Sequence, residues 1–179
     1  MKNALIALTL VSGLAQAEMS LKSTDISHGE AMPKAQEFAG FGCDGDNLSP
    51  QLSWSGAPEG TKSFAVTAYD PDAPTGSGWW HWVVFNIPAT TSVLASGAGS
   101  EGGTLPEGAV QSRTDYGVPG FGGACPPRGD KAHRYQFTVF ALDTETLDLE
   151  PDSSGALVGY FLNSHVIEKV TLEATYQRP

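Results

Sequence analysis

Two apolar, extended runs, Ser63-Phe64-Ala65-Val66-Thr67-Ala68-Tyr69 and Trp80-His81-Trp82-Val83-Val84-Phe85-Asn86-Ile87, stand on either side of Asp70-Pro71-Asp72-Ala73-Pro74-Thr75-Gly76-Ser77-Gly78-Trp79. The prolines fix φ and withhold donors, and the glycines let the chain turn back, so this stretch reads as a turn between two strands. It sets carboxylates at the end of one strand and an imidazole at the start of the next, which makes Asp70 and His81 expected neighbours. The plainer reading is a solvated turn, because Asp, Pro, Ser and Gly cap hairpins widely. A calcium loop fails on the residues themselves. Pro74 stands at its third ligand position, and His81 stands where a bidentate glutamate belongs.

The rest of the chain is also mainly extended. Ser20–Ser23, Gln51–Trp54, Tyr135–Leu142 and Val170–Tyr176 read as strands, the last with the alternation of a half-buried edge. The run from Trp80 to Ile87 is apolar on both faces and reads as central. One helix is expected, capped by Asp152 or Ser153 and running towards Val166 and Ile167. Between Thr91 and Val118 the chain is rich in Gly, Ser and Thr, and reads as one long loop. Period two places His133, Tyr135, Phe137 and Val139 on one inward face, and His81 with Val83, Phe85 and Ile87 on another. Two imidazoles at inward strand ends need partners, and the aspartates of the turn are the candidates. Arg134 falls on the opposite face and reads as half of a structural ion pair.

Met1-Lys2-Asn3, the apolar run Ala4–Val11 and the small-x-small Ala15-Gln16-Ala17 read as a secretory signal cleaved after Ala17, too short to span a bilayer. Glu18 follows the cut, so no lipid anchor is expected. The chain thus divides into a signal, 1–17, and one domain, 18–179, of a size that buries roughly 70% of its unfolded surface. Only Lys2 among the charged residues falls in the signal, which leaves nine basic against twenty acidic residues, a net −11. That balance argues against nucleic acid or an anionic membrane face as the main partner, while leaving a local anion pocket open. No later stretch is long and apolar enough for a transmembrane helix. Cys43 and Cys125 make an even count, which favours a disulfide in an exported protein; two free thiols or a redox pair are the rival readings, and the chain has no Cys-x-x-Cys.

A second stretch, Cys125-Pro126-Pro127-Arg128-Gly129-Asp130-Lys131-Ala132-His133-Arg134-Tyr135, tips the balance from turn to site. With Asp70-Pro71-Asp72-Ala73-Pro74 and Trp80-His81-Trp82, it resembles the phosphatidylethanolamine-binding proteins, also called Raf-kinase-inhibitor-like proteins, in their bacterial YbhB/YbcL branch. Asn47-Leu48-Ser49-Pro50, Leu52-Ser53-Trp54, Pro58-Glu59-Gly60-Thr61-Lys62-Ser63 and Asn86-Ile87-Pro88 extend the likeness over nearly the whole mature chain. Lys131 departs from it, standing where the family often has glycine. The resemblance implies a mainly β, antiparallel two-sheet fold with one or two short helices near the C-terminus. It also implies a small cavity for anions such as phosphate or a phospholipid head group. Carried over by position, that cavity takes Asp70, with Asp72 and Pro74 shaping the turn, His81, His133 and the hydroxyl of Tyr135. Gly123, Ala124 and Cys125 would offer backbone N–H groups as a nest, and protonated imidazoles would supply the positive field.

The reading reached is an exported, non-catalytic binding protein for a small anion, with a protein partner as a further expectation and no cofactor. A protein-directed inhibitor, of proteases above all, is the alternative. An enzyme is the third class. Asp70, His81 and His133 could compose a facial metal triad. Against catalysis, the chain has no Gly-x-Ser-x-Gly elbow, no phosphate-binding Walker loop and no His-Glu-x-x-His.

Overall fold

The computed structural model describes residues 18–179, so the expected signal lies outside the described residues. The strands are β1 (Ser20–Lys22), β2 (Ala39–Gly40), β3 (Cys43–Asp44), β4 (Leu52–Ser55), β5 (Ser63–Asp70), β6 (Trp79–Pro88), β7 (Val93–Leu94), β8 (Val110–Gln111), β9 (His133–Leu142) and β10 (Val166–Tyr176), with one helix, α1 (Gly155–His165). A five-stranded sheet runs β10-β9-β5-β6-β8, a three-stranded sheet runs β1-β4-β7, and β2 and β3 form a small hairpin. All strand pairs are antiparallel. The fold is therefore mainly β, as the sequence implies.

The large sheet is buried on both faces, which is why its middle strands read as continuous apolar runs. Phe64, Val66 and Ala68 of β5 pack with Leu52, Trp54 and Leu94 of the three-stranded sheet. Ala65 of the same strand packs on the opposite face with Val158 and Leu162 of α1. The order is small sheet, large sheet, helix.

Strict period two fails on β6, and the failure builds the site. Ala68 pairs with Trp82 and the next residue, Tyr69, pairs with Trp80, so His81 is the extra residue of a β-bulge. A second irregularity lies between the pairs Phe64/Ile87 and Val66/Val84. There Asn86 takes a left-handed φ of 58°, and its amide is held by Leu147 O and Leu147 N. Val83 and Phe85 consequently face the helix, whereas Trp82, Val84 and Ile87 face the small sheet. The expected common face of His81, Val83 and Phe85 is corrected accordingly. The bulge turns His81 to the side where Asp70 and Tyr135 lie.

Three further expectations are refined. The helix is capped by Ser154, whose Oγ accepts from Leu157 N at 3.2 Å, not by Asp152 or Ser153. It ends at His165, because Val166 onwards pairs with β9 from the Val166/Leu142 register. The segment from Thr91 to Val118 is no open loop. It contributes β7 and β8 and buries Leu94, Ala98, Ser112 and Thr114. The edge position of β10 is observed, and the chain at 29–32 covers part of it through Gly29 N to Glu173 O, Met32 N to Thr175 O and Thr175 N to Glu30 O.

Candidate functional site: a cavity between two histidines

Asp70 closes β5 and is 2% exposed. Its Oδ1 accepts from Asp72 N at 2.8 Å, the Asx turn that a short acid before proline favours. Its Oδ2 is 2.8 Å from His133 Nδ1, which begins β9. The acceptor is a carboxylate, so Nδ1 carries the proton and donates. On the far side of the ring, Nε2 lies 3.6 Å from Asp130, beyond a good hydrogen bond. Asp72 turns away from the cavity. It accepts from Arg134 N, Nε and Nη2 at 3.0, 2.8 and 3.0 Å and sits 3.5 Å from Lys131 Nζ. The Arg134 hydrogen bonds hold its carboxyl well below the usual range. Arg134 is thus the ion-pair partner expected from its strand face, and Lys131 adds to the same pair.

His81 is built on a different plan. Its Nδ1 lies 2.7 Å from Gly122 O and 3.1 Å from Gly123 O. Both are acceptors, so Nδ1 again carries the proton and Nε2 is the nitrogen left to take another. Burial lowers the imidazole below its ordinary pKa, and the Gly122 carbonyl and the Asp70 charge do not offset it. The ring is therefore neutral at neutral pH, which corrects the expectation that it supplies positive field.

The expected nest of N–H donors is corrected at Gly123 and Ala124. Gly123 N donates to Asn47 Oδ1 at 2.7 Å, and Ala124 N donates to Gln36 O. These two amides are spent on the fold, and the carbonyls of Gly122 and Gly123 face His81. Cys125 does line the cavity. It is bonded to Cys43 with Cα atoms 6.0 Å apart, which ties the β2–β3 hairpin to this wall. Arg178 bridges the same pair of segments, donating to Pro126 O at 2.7 Å and Gly42 O at 2.9 Å.

Between the two histidines lies a cavity of about 170 Å³. Of the expected site residues, the fold brings Asp70, Pro74, His81, Cys125, His133 and Tyr135 to its wall, and leaves Asp72, Gly123 and Ala124 behind it. Sequence reasoning missed Tyr116, whose hydroxyl donates to Gly123 O at 2.8 Å and whose ring stacks on Phe38 at 4.1 Å. It also missed Phe41, an exposed residue with a left-handed φ of 52° at the hairpin turn. Neither carries a local signal, since each reaches the cavity from a distant loop. Gly122 is required here, because a Cβ would run into the Tyr116 ring.

Two lining residues carry buried donors: Tyr135 Oη, which lies beside Asp70, and Trp79 Nε1, which has no hydrogen-bond partner among the described residues. Burial, and then the Asp70 charge, push the Tyr135 phenol far above its usual pKa, so it stays protonated and able to donate. Among the described residues, no group of three or more His, Cys, Asp or Glu is placed to hold a metal ion.

Comparison with known proteins gives a consistent result. Residues 22–177 match the family described as phosphatidylethanolamine-binding protein. The chain is 58% identical over 162 residues to YbcL of Escherichia coli, covering 90% of this chain and 88% of that one. It is 51% identical over 158 residues to E. coli YbhB, covering 88% and 99%. The crystal structure of E. coli YbcL, described as a member of the mammalian PEBP family, superposes with a TM-score of 0.89, covering 91% of this chain and all of that one. A homologue from Chlamydia trachomatis, CT736, superposes with a TM-score of 0.75 at 31% identity, covering 90% and 99%.

Proposed function

The chain belongs to the phosphatidylethanolamine-binding protein family, and from that premise we propose that it is an exported, non-catalytic protein whose cavity binds a phosphate-sized anion. One observation carries the reading: a small cavity lined by two imidazoles, the Tyr135 phenol and the Trp79 indole, in which His81 Nε2 is left without a partner among the described residues. An imidazole that takes up a proton there gives an oxyanion a charge-assisted donor.

Size refines the ligand. The cavity of about 170 Å³ holds about six waters' worth of space, below the roughly 300–1,000 Å³ of drug-sized pockets. A head group fits and an acyl chain stays outside. Binding is favoured over covalent catalysis by the lining itself. The thiol of Cys125 is in a disulfide, and the Thr75 hydroxyl donates to Gly78 O. The disulfide also agrees with an oxidising compartment.

The test is an NMR titration of the His81 and His133 ring protons with inorganic phosphate and phosphoethanolamine, repeated in Asp70→Ala. Saturable shifts at both rings that the substitution abolishes support the anion site. Rings that stay still at millimolar ligand overturn it and leave the Asp–His pair a structural feature.

A further inference from the structure

The two faces of β9 serve different spaces. His133 and Tyr135 look into the first cavity, and the alternate residues Gln136 and Thr138 look towards the helix side of the sheet. There α1 seats Val158 and Leu162 against Ala65, Phe140 and Leu142. One step further along the strands, Thr67, Thr138 and Thr171 of β5, β9 and β10 stand side by side in register. Over this row lies a cavity of about 220 Å³, with Gly159 and Leu162 of α1 on its other side.

Two features of this cavity are not called for by the fold. The first is the threonine row. Thr67 is 3% exposed and Thr138 8%, on a face that otherwise buries Ala65, Val83 and Phe85. Valine has the shape of threonine without a hydroxyl to desolvate. The Thr138 and Thr171 hydroxyls bond each other at 2.8 Å, which leaves the pair one proton to give. Thr67 Oγ1 has no hydrogen-bond partner among the described residues. The second feature is Gly159, in the interior of α1, where glycine weakens a helix relative to alanine. Gly155 is required, because a Cβ there would run into the Trp80 ring. At Gly159 a Cβ would meet only Trp80, at 3.6 Å, an ordinary contact. The glycine is sterically optional, and its effect is to keep the cavity open.

The wall selects a ligand by elimination. Its donors are the threonine hydroxyls and, at the rim, the Lys169 ammonium held 5.6 Å over the Phe140 ring. Its acceptors are the threonine oxygens and Gln136 Oε1, since Gln136 Nε2 is spent on Glu173 at 3.0 Å. A carboxylate or phosphate would face the Gln136 oxygen, an ammonium would face Lys169, and an apolar ligand would strand the hydroxyls. A ring with hydroxyls on its edge and C–H groups on its face answers all of them, because each hydroxyl both donates and accepts. Tyr69 and Trp80, with ring centroids 4.6 Å apart, supply the apolar wall. The space amounts to about seven waters, which suits one such ring.

We propose that this cavity is a binding site for a neutral monosaccharide unit, with Thr67 and Thr138 reading its hydroxyls. The site shares no lining residue with the first cavity and does not depend on the anion reading.

The experiment is an NMR titration that follows the Gln136 side-chain amide and the Trp80 indole N–H. The probes are glucose, galactose, mannose and N-acetylglucosamine, with glycerol and acetate as controls. At least one hexose is expected to give saturable shifts of both signals in the millimolar range, while glycerol and acetate give none and the His81 and His133 rings stay still. Thr67→Val, which keeps the shape and removes the hydroxyl, is expected to weaken that hexose about tenfold. Gly159→Ala is expected to raise the thermal midpoint and to weaken the hexose about threefold or more, because the added methyl takes up cavity space. Hexoses that never saturate overturn the site, and so does acetate that saturates as the hexose does. Unchanged hexose affinity in a natively folded Thr67→Val overturns it as well. If that variant loses its native spectrum, Gly159→Ala decides: unchanged affinity there places the sugar outside the cavity and overturns the assignment.

Discussion

The two walls of the first cavity each hold a histidine by Nδ1, and they hold it oppositely. His133 is tied to a carboxylate within the five-stranded sheet. His81 is tied to two backbone carbonyls of a loop, and that loop is fixed by a disulfide and by Arg178. The first partner is an acidic side chain of the sheet itself; the second is backbone, which fixes the tautomer and leaves burial to lower the pKa of the His81 ring. One wall anchors. The other holds its ring through backbone alone, with His81 Nε2 left without a partner among the described residues.

The largest effect should come from breaking the loop wall alone. Opening the Cys43–Cys125 bridge, which spans 82 positions in sequence, is expected to cost about 4–5 kcal/mol by loop-closure entropy. Cys43→Ser with Cys125→Ser in urea denaturation measures it. The same variant should shift the His81 ring resonances and leave those of His133 in place; equal movement of both would dissolve the distinction between the walls.

Asp70→Ala attacks the other wall. Removing one partner of a buried pair costs about 3 kcal/mol or more, and the Asx turn at Asp72 is lost with it. Denaturant midpoints give the cost, and a loss under 1 kcal/mol would count against the anchoring role.

The pH response follows from His81. Burial sets its folded pKa below the unfolded value of about 6.5, so below that pH the unfolded chain takes up a proton the folded one refuses. Stability should then fall as pH drops through about 6.5, by at most ~1.4 kcal/mol per pH unit. His81→Gln should flatten that slope. Anion affinity should run the other way and rise as pH falls, because a bound anion favours the charged ring. Sulfate, which does not titrate in this range, is the ligand for the calorimetry, and a pH-independent affinity would remove His81 from the binding step.

The smallest effect separates stability from binding. Tyr135→Phe deletes a buried hydroxyl beside Asp70, so stability should change by no more than about 1 kcal/mol while anion affinity falls about tenfold. A larger loss of stability with unchanged affinity would mean that the hydroxyl serves the fold and not the ligand.

Much of this site is legible in the residues. The alternation on β9 fixed His133 and Tyr135 as neighbours on one inward face, and the prolines and glycines after Asp70 marked the turn. The His81 wall was misread twice. A bulge is an extra residue paired with nothing, and period two has no symbol for it, so Val83 and Phe85 were assigned to the wrong core. The small-residue run at 123–125 shows close packing, and only the fold shows that the N–H groups of Gly123 and Ala124 serve Asn47 and Gln36 while the carbonyls of Gly122 and Gly123 serve the ring.

The sequence by itself determined the long strands β5, β6 and β9, the turn carrying Asp70 and the cysteine pair, because these rest on local sterics and on counting. It also carried the family, because several motifs recur in one order along the chain. The tertiary structure alone decided which groups are desolvated together. Tyr116 and Phe41 reach the cavity from distant loops, and Asp72 leaves it for Arg134. The protonation state of His81 follows from burial, a property of everything packed around the ring and of no residue adjacent to it in sequence.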